Sequence, residues 1–201
     1  MSLRLRKRWK QDERPRTTED IASAAASNAW RTACNGVLNL ENADFETRTQ
    51  EQRLQLIQEF AIFLLHLTDR RLGERLSQEE RGRLITAMAL RLAAILEENV
   101  AELRAGPDRI PGPVDGVREA FVNRINRRSD EYAECRYDID EGPGFSLWRA
   151  FAVHVSEALG PHNRQWAIDQ VMATEGPEAV EAFVPALESL LPSAAGAGAD
   201  P

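Results

Sequence analysis

The chain has 201 residues, with 32 acidic and 25 basic side chains and a formal net charge of −7. A chain of this length buries enough surface for one domain without disulfides or a structural metal. The acidic balance argues against general nucleic-acid binding, because phosphate contacts require a net basic surface. The only lysines are Lys7 and Lys10, which leaves the body of the chain without a lysine for a Schiff base or a phosphate-binding loop.

Cysteine content and hydropathy indicate the compartment. Cys34 and Cys135 form no C-x-x-C motif and are too few for a secreted disulfide scaffold. No apolar segment typical of a secretory signal follows the basic start. The longest apolar run, FAIFLLHL at 60–67, is far shorter than the roughly 20 residues that cross a bilayer. The sequence therefore predicts a cytoplasmic protein without a membrane span.

Residues 1–16 form a basic N-terminal arm. From residue 3 to residue 16, seven basic side chains accompany two acidic ones, giving +5, so the rest of the chain carries −12. Such an arm is predicted to be flexible and is suited to nucleic acid, an anionic surface or an acidic partner, or to folding back on the acidic body. Its candidate partner- or anion-binding residues are Arg4, Arg6, Lys7, Arg8 and Lys10.

Apolar periodicity predicts a helix that begins after Thr17 and ends at Asn35-Gly36, followed by an irregular connector over 37–46. A second helix is predicted over 47–72, with apolar residues on two nearly opposite sides, which indicates a helix surrounded by others.

Ser77 and Glu80 form a capping box that opens a third helix to about Arg104. Because the link before it is short, helices two and three are predicted to form a central antiparallel hairpin.

The second half of the chain is predicted to be helical as well. A Gly- and Pro-rich stretch at 105–113 is a candidate subdomain boundary within a single helical domain over 17–192. No strand-like alternation occurs, so the predicted fold is an all-α bundle of about seven helices with a disordered C-terminal tail. The remaining predicted segments are helix 114–136, an acidic turn 138–144, helices 145–159, 162–174 and 177–191, and tail 193–201.

His66 is the first candidate site residue. It shares a helical face with Glu59 and Asp69, at spacings of seven and three residues. A carboxylate within reach would raise the imidazole pKa and orient one ring nitrogen for a metal or a proton transfer. The alternative is a structural histidine at the edge of the core, held by one of these acids.

A second candidate set is His154, Glu157 and His162. Two histidines and a glutamate are enough ligands for a zinc ion with one open position. The Gly160-Pro161 break separates the histidines, so the sequence does not fix whether they converge. No cofactor is predicted from any motif.

The predicted fourth helix carries a cluster of basic residues, Arg124, Arg127 and Arg128. Guanidinium groups in such a cluster can bind phosphate or the carboxylates of a partner. The alternative is a solvated helix face on which they pair with acids three to four residues further on. Those acids are Asp130, Glu131 and Glu134.

No catalytic signature is present: the sequence lacks G-x-S-x-G, H-E-x-x-H, C-x-x-C and G-x-G-x-x-G. The leading hypothesis is therefore a cytoplasmic, non-catalytic protein-interaction module: an assembly factor, chaperone-like helper or accessory subunit that binds another protein or itself. The alternative is a small-ligand- or metal-binding protein, or an enzyme, with a pocket near His66. A third hypothesis is nucleic-acid or anionic-surface binding through the arm.

Overall fold

A computed structural model describes residues 16–106, 112–161 and 164–191. The predicted all-α fold is confirmed, and one two-stranded ribbon accompanies the helices. The arm before Arg16, the centre of the 105–113 break, His162 and the predicted tail lie outside the described residues. The elements are α1 Thr18–Asn42, α2 Gln50–Leu72, α3 Gln78–Ala105, α4 Val117–Ala133, β1 Tyr137–Asp138, β2 Gly142–Pro143, α5 Phe145–Leu159, α6 Arg164–Gln170, a π-helical turn Val171–Glu175 and α7 Gly176–Glu188.

Side-chain caps fix where the first three helices begin. Thr17 and Asp20 form a reciprocal capping box at the start of α1, and Ser77 and Glu80 form the predicted one at the start of α3. The Thr49 side chain accepts a hydrogen bond from the backbone N–H of Gln52, so α2 begins three residues later than predicted. In each case a side-chain oxygen satisfies a donor that the first helical turn leaves unpaired.

The predicted end of α1 at Asn35-Gly36 is wrong. The helix continues to Asn42, and Gly36 is buried within it. A Cβ atom at Gly36 would lie 2.6 Å from the Phe60 ring, so glycine serves close contact between α1 and α2 here. The sequence does not distinguish a glycine that ends a helix from one that a neighbouring helix requires.

Helices α2 and α3 form the predicted antiparallel hairpin. Asp69 near the end of α2 pairs with Arg81 near the start of α3, with Arg81 Nε 3.3 Å from Asp69 Oδ1. At the other end, Leu54 of α2 and Leu103 of α3 line the same cleft. Helix α1 packs against both of them. Residues on all sides of α2 are buried, as its double apolar pattern predicts.

Helix α5 has the predicted bounds, and Gly160 ends it with a positive φ of 84°. The predicted break at Gly176-Pro177 is wrong, because α6 continues through the π-helical turn into α7 without interruption. A Cβ at Gly176 would lie 2.6 Å from the Trp148 ring, so this glycine also serves close packing. Two strands of two residues each, β1 and β2, pair across the acidic turn. They are too short to show the alternation of apolar and polar residues that indicates a strand.

The aromatic centre of the core joins α2 to α5 and α4. Phe63 stacks on Phe151 with ring centroids 4.1 Å apart, and its ring lies 5.4 Å from Trp148 and 6.1 Å from Tyr132. Helix α4 is thus placed against the core through Tyr132. Within the described ranges, no helix has the length and hydropathy of a membrane span.

Candidate functional site

An open groove runs between α3 and α4, with the second half of α2 as its floor. It encloses about 660 Å³, within the range of roughly 300–1,000 Å³ typical of ligand sites. The α3 side extends from Gln78 to Leu90, a length of about 18 Å at 1.5 Å per residue. We call this the α3–α4 groove; it is lined by Leu65, His66, Asp69 and Arg70 of α2, Gln78, Arg81, Gly82, Ile85, Thr86, Ala89 and Leu90 of α3, and Val122, Ile125, Asn126, Ser129 and Ala133 of α4.

The groove is lined by both apolar and polar side chains. Ile85 and Val122 are half-buried and Leu90 is 57% exposed. The same walls also contain Thr86, Asn126 and Ser129. Arg70 and Arg81 lie at the end where α2 meets α3. A groove of mixed polarity with two arginines at one end suits an amphipathic ligand that carries negative charge at that end.

A buried ion pair holds α4 over α2 beside the groove. Arg128 donates from Nε and Nη2 to the two carboxylate oxygens of Glu59, at 3.0 and 3.2 Å. Arg124 Nη1 lies 3.9 Å from Glu59 and donates to the side chain of Gln58 at 3.1 Å. Glu59 is only 4% exposed, so its charge depends on these guanidinium groups.

Arg124 and Arg128 therefore point into the fold, and the expected local pairing on a solvated face is largely wrong. Arg128 reaches Glu131 only at 3.9 Å, and its main partner is on another helix. Arg127 is exposed and has no ion pair among the described residues. Partner or anion binding by these three arginines stays a prediction.

Arg70 makes the second attachment of α4. Its Nη2 donates to the backbone carbonyls of Tyr132, Ala133 and Cys135, at 3.2, 2.7 and 3.4 Å. These carbonyls are at the C-terminal end of α4, where a cation also favours the helix dipole. Its Nε donates to His66 Nε2 at 3.1 Å.

The expected effect of a carboxylate on His66 is wrong. Glu59 pairs with Arg128 and Asp69 pairs with Arg81, so neither carboxylate is available to stabilise the protonated form of His66. Burial, together with the positive charge of Arg70, lowers the pKa of His66 from 6.5 to about 4. The ring is neutral at pH 7 and its Nε2 lone pair is used by Arg70, which makes His66 a poor general base.

We expect the lowered pKa of His66 to make the folded state sensitive to mild acid. The folded pKa lies below the unfolded value, so the stabilising contribution is complete above about pH 6.5 and is lost as the pH falls toward 4. Between pH 7 and pH 5, the parent should lose about 2 kcal/mol more unfolding free energy than His66→Gln, which retains an acceptor for Arg70 but does not titrate. Urea unfolding at the two pH values measures this; equal losses in both proteins would contradict the assigned role.

Tyr132 and His154 lie close to His66. We call these three residues, together with the side chains that attach α4 to α2, the polar layer: Glu59, His66, Arg70, Arg128, Tyr132 and His154. The Tyr132 hydroxyl is fully buried and has no hydrogen-bond partner among the described residues, and burial raises its pKa well above 10. The Tyr132 ring lies between the rings of His66 and His154, at centroid distances of 5.3 and 6.0 Å. His154 Nε2 lies 2.8 Å from Glu131 Oε2.

The structure brings only part of the candidate zinc set together. His154 Nδ1 lies 3.5 Å from Glu157 Oε2, which is longer than a hydrogen bond, while His162 lies outside the described residues. Among the residues that the structure describes, no group of three or more His, Cys, Asp or Glu side chains is arranged to hold a metal ion. The anion-binding candidates of the arm, from Arg4 to Lys10, also lie outside the described part.

Sequence reasoning finds the floor of the groove but not its walls. His66 and Asp69 line it as candidates, whereas Glu59 lies beside it in the ion pair. The sequence does not identify Arg70 and Leu90, because their place in the groove depends on α4 lying across α2 and α3. A single aliphatic residue on the solvent face of a helix, as Leu90 is, is common and gives no signal on its own.

Comparison with models of protein families, with curated proteins and with solved structures finds no match for this chain. The site must therefore be interpreted from its own geometry.

Proposed function

We propose that this chain is a helical protein-interaction module that binds an amphipathic helix of another protein in the α3–α4 groove. The observation that carries the proposal is the shape of the groove: about three helical turns long, with Leu65, Ile85 and Val122 among its lining, and bordered by exposed Leu90. Helix-in-groove recognition uses a channel of this kind, filled by apolar side chains at i, i+3, i+4 and i+7 of the partner.

The charges at the open end favour one partner chemistry. Arg70 and Arg81 contribute two positive charges, and Asp69, paired with Arg81, contributes one negative charge. The partner helix is therefore expected to carry acidic residues at the end that lies over Arg70. Binding of this type requires no catalytic group, in agreement with the engaged lone pair of His66.

Gly82 offers a variant that fills the groove without disturbing the fold. It lies in α3 and lines the groove, and a Cβ atom there would have no heavy atom within 4 Å. Gly82→Leu should thus occupy the groove while stabilising α3, since glycine in a helix interior costs about 1 kcal/mol relative to alanine.

The test is a selection of helical peptides from a displayed library against the full chain. We expect enriched peptides with an apolar stripe and acidic residues at one end, and at least a tenfold loss of affinity with Gly82→Leu and with Leu90→Glu, since a buried apolar contact contributes about 1.5–3 kcal/mol. Leu38→Glu is the matched control, because Leu38 is similarly exposed (53%) but lies on α1. Peptides that bind all three variants equally would place the binding site elsewhere.

A second candidate function is binding of a small amphipathic anion in the same groove. The enclosed volume and the location of His66 and Arg70 at its floor support it. A thermal-shift screen of medium-chain carboxylic acids against the parent and Gly82→Leu separates the two functions. A carboxylic acid that raises the melting temperature of the parent but not of Gly82→Leu would favour binding of a small anion over binding of a partner helix.

A further inference from the structure

A second groove lies on another face, between α7 and the β1–β2 turn, and its rim is acidic. It encloses about 380 Å³, with the apolar side chains of Trp148, Val180 and Val184 in its lining. The acids of its rim are Asp140 and Glu141 of the turn and Glu181 of α7. We call this the acid-rimmed groove.

Its negative charge is poorly neutralised. In the described part of the chain, Asp140 and Glu181 have no ion pair, and Glu141 approaches Arg136 only at 4.0 Å. Arg71 is the basic residue in the lining, but it already donates to Glu188 at 3.1 Å and contacts the Tyr137 hydroxyl. The carboxylates are therefore available to a cationic ligand.

The Arg16 side chain, at the start of the described residues, contacts the chain just after α7. Arg16 Nη1 donates to the carbonyls of Ser189 and Leu190, at 3.0 and 3.2 Å, just after the end of α7. Residues on one face of α7, between Pro177 and Pro185, line the groove. Pro185 and Ser189 are four residues apart, or about 6 Å along a helix axis.

We propose that residues 1–15 dock in the acid-rimmed groove of the same chain. The arm is strongly basic, and Leu3, Leu5 and Trp9 give it apolar side chains for the floor. An arginine of the arm over the Trp148 indole would add a cation–π contact. Fifteen extended residues span up to about 50 Å, so the groove is well within reach of Arg16.

Docking within one chain has a consequence for the third hypothesis. While the arm is docked, its basic side chains cannot bind nucleic acid or an anionic surface. Docking is strongest at low ionic strength, where attraction between exposed charges is least screened. The arm becomes available to these ligands when a stronger cationic ligand of the groove displaces it. This inference is independent of the α3–α4 groove.

Limited trypsin digestion of the full chain tests the proposal, because Arg4, Arg6, Lys7, Arg8 and Lys10 are cleavage sites in the arm. Docking slows cleavage by reducing the undocked population. The triple variant Asp140→Asn, Glu141→Gln, Glu181→Gln should be cleaved in the arm roughly tenfold faster than the parent at low salt. The difference should vanish at high salt.

The matched control is Glu46→Gln, Glu102→Gln, Glu119→Gln, which changes the net charge equally at exposed acids of other elements. It should be cleaved at the parental rate. Equal rates for the groove variant and the parent, or a parental rate that is insensitive to salt, would overturn the proposal. Protection that rises with protein concentration would assign the arm to a second copy and overturn docking within one chain.

Discussion

Replacing Glu59 by alanine is expected to destabilise the protein by about 3 kcal/mol, because it leaves the guanidinium of Arg128 without its buried partner. Arg128 donates two hydrogen bonds to this carboxylate, and the Glu59 side chain is 5% exposed. Urea unfolding followed by circular dichroism measures the change. Since the pair attaches α4 to α2, Glu59→Ala should also lower the affinity of the α3–α4 groove for its ligand.

Two controls separate a buried pair from ordinary surface charge. Glu79→Ala removes an exposed pair with Arg83 and should change stability by less than about 0.5 kcal/mol. The double variant Glu59→Leu with Arg128→Leu removes both charges of the closest pair and should recover much of the lost stability, because Arg124, which also loses Glu59, is partly exposed and still donates to Gln58. A Glu59→Ala protein as stable as the parent would show that the pair with Arg128 does not stabilise the fold.

The second large effect is expected at the aromatic centre of the core. Phe63→Ala should cost about 4 kcal/mol, since it removes a fully buried ring that stacks on Phe151 and leaves a cavity between α2 and α5. The same unfolding measurement applies.

Phe145→Ala is the matched control, because Phe145 is 70% exposed at the start of α5 and should contribute less than about 0.5 kcal/mol. A similar cost for both phenylalanines would mean that Phe63 is not central to the core.

Local chemistry accounts for the features that the sequence predicts correctly. The helix start after Thr17, the capping box at Ser77 and the bounds of α5 each depend on residues within one or two turns. The double apolar pattern of α2 is also local, and it correctly indicates a helix surrounded by others.

The errors arise where a distant segment determines the outcome. Gly36 has the sequence appearance of a helix end, but Phe60 from α2 requires glycine inside α1. Gly176-Pro177 has the appearance of a break, yet proline is tolerated in the first turn of α7 and the chain continues through a π-helical turn.

The candidate site shows the same limit. Glu59 and Arg128 are 69 residues apart, so the sequence favours local partners for both. The pKa of His66 moves opposite to expectation, because the nearest charge in space is Arg70 and both candidate acids are engaged elsewhere. The residue types indicate a polar layer, but the helix packing determines which charges meet.

The polar layer and the groove are parts of one arrangement. Arg70 and Arg128 attach α4 to α2 through directional bonds at the side of the groove, while α3 packs on α4 beside Arg118 and Glu97, whose ion pair spans 3.1 Å. These bonds constrain the position of α4 on α2, because hydrogen bonds to charged groups require specific geometry. A defined position of α4 is what a helix-binding groove needs.

Native mass spectrometry of the tagged full chain, purified from the cells that naturally produce it, tests the helix-binding account most directly when the parent and Gly82→Leu are compared. The account predicts that the parent carries a second polypeptide and that Gly82→Leu, folded equally well, does not. The same polypeptide on both proteins, or a small-molecule mass on the parent alone, would contradict helix binding in the α3–α4 groove.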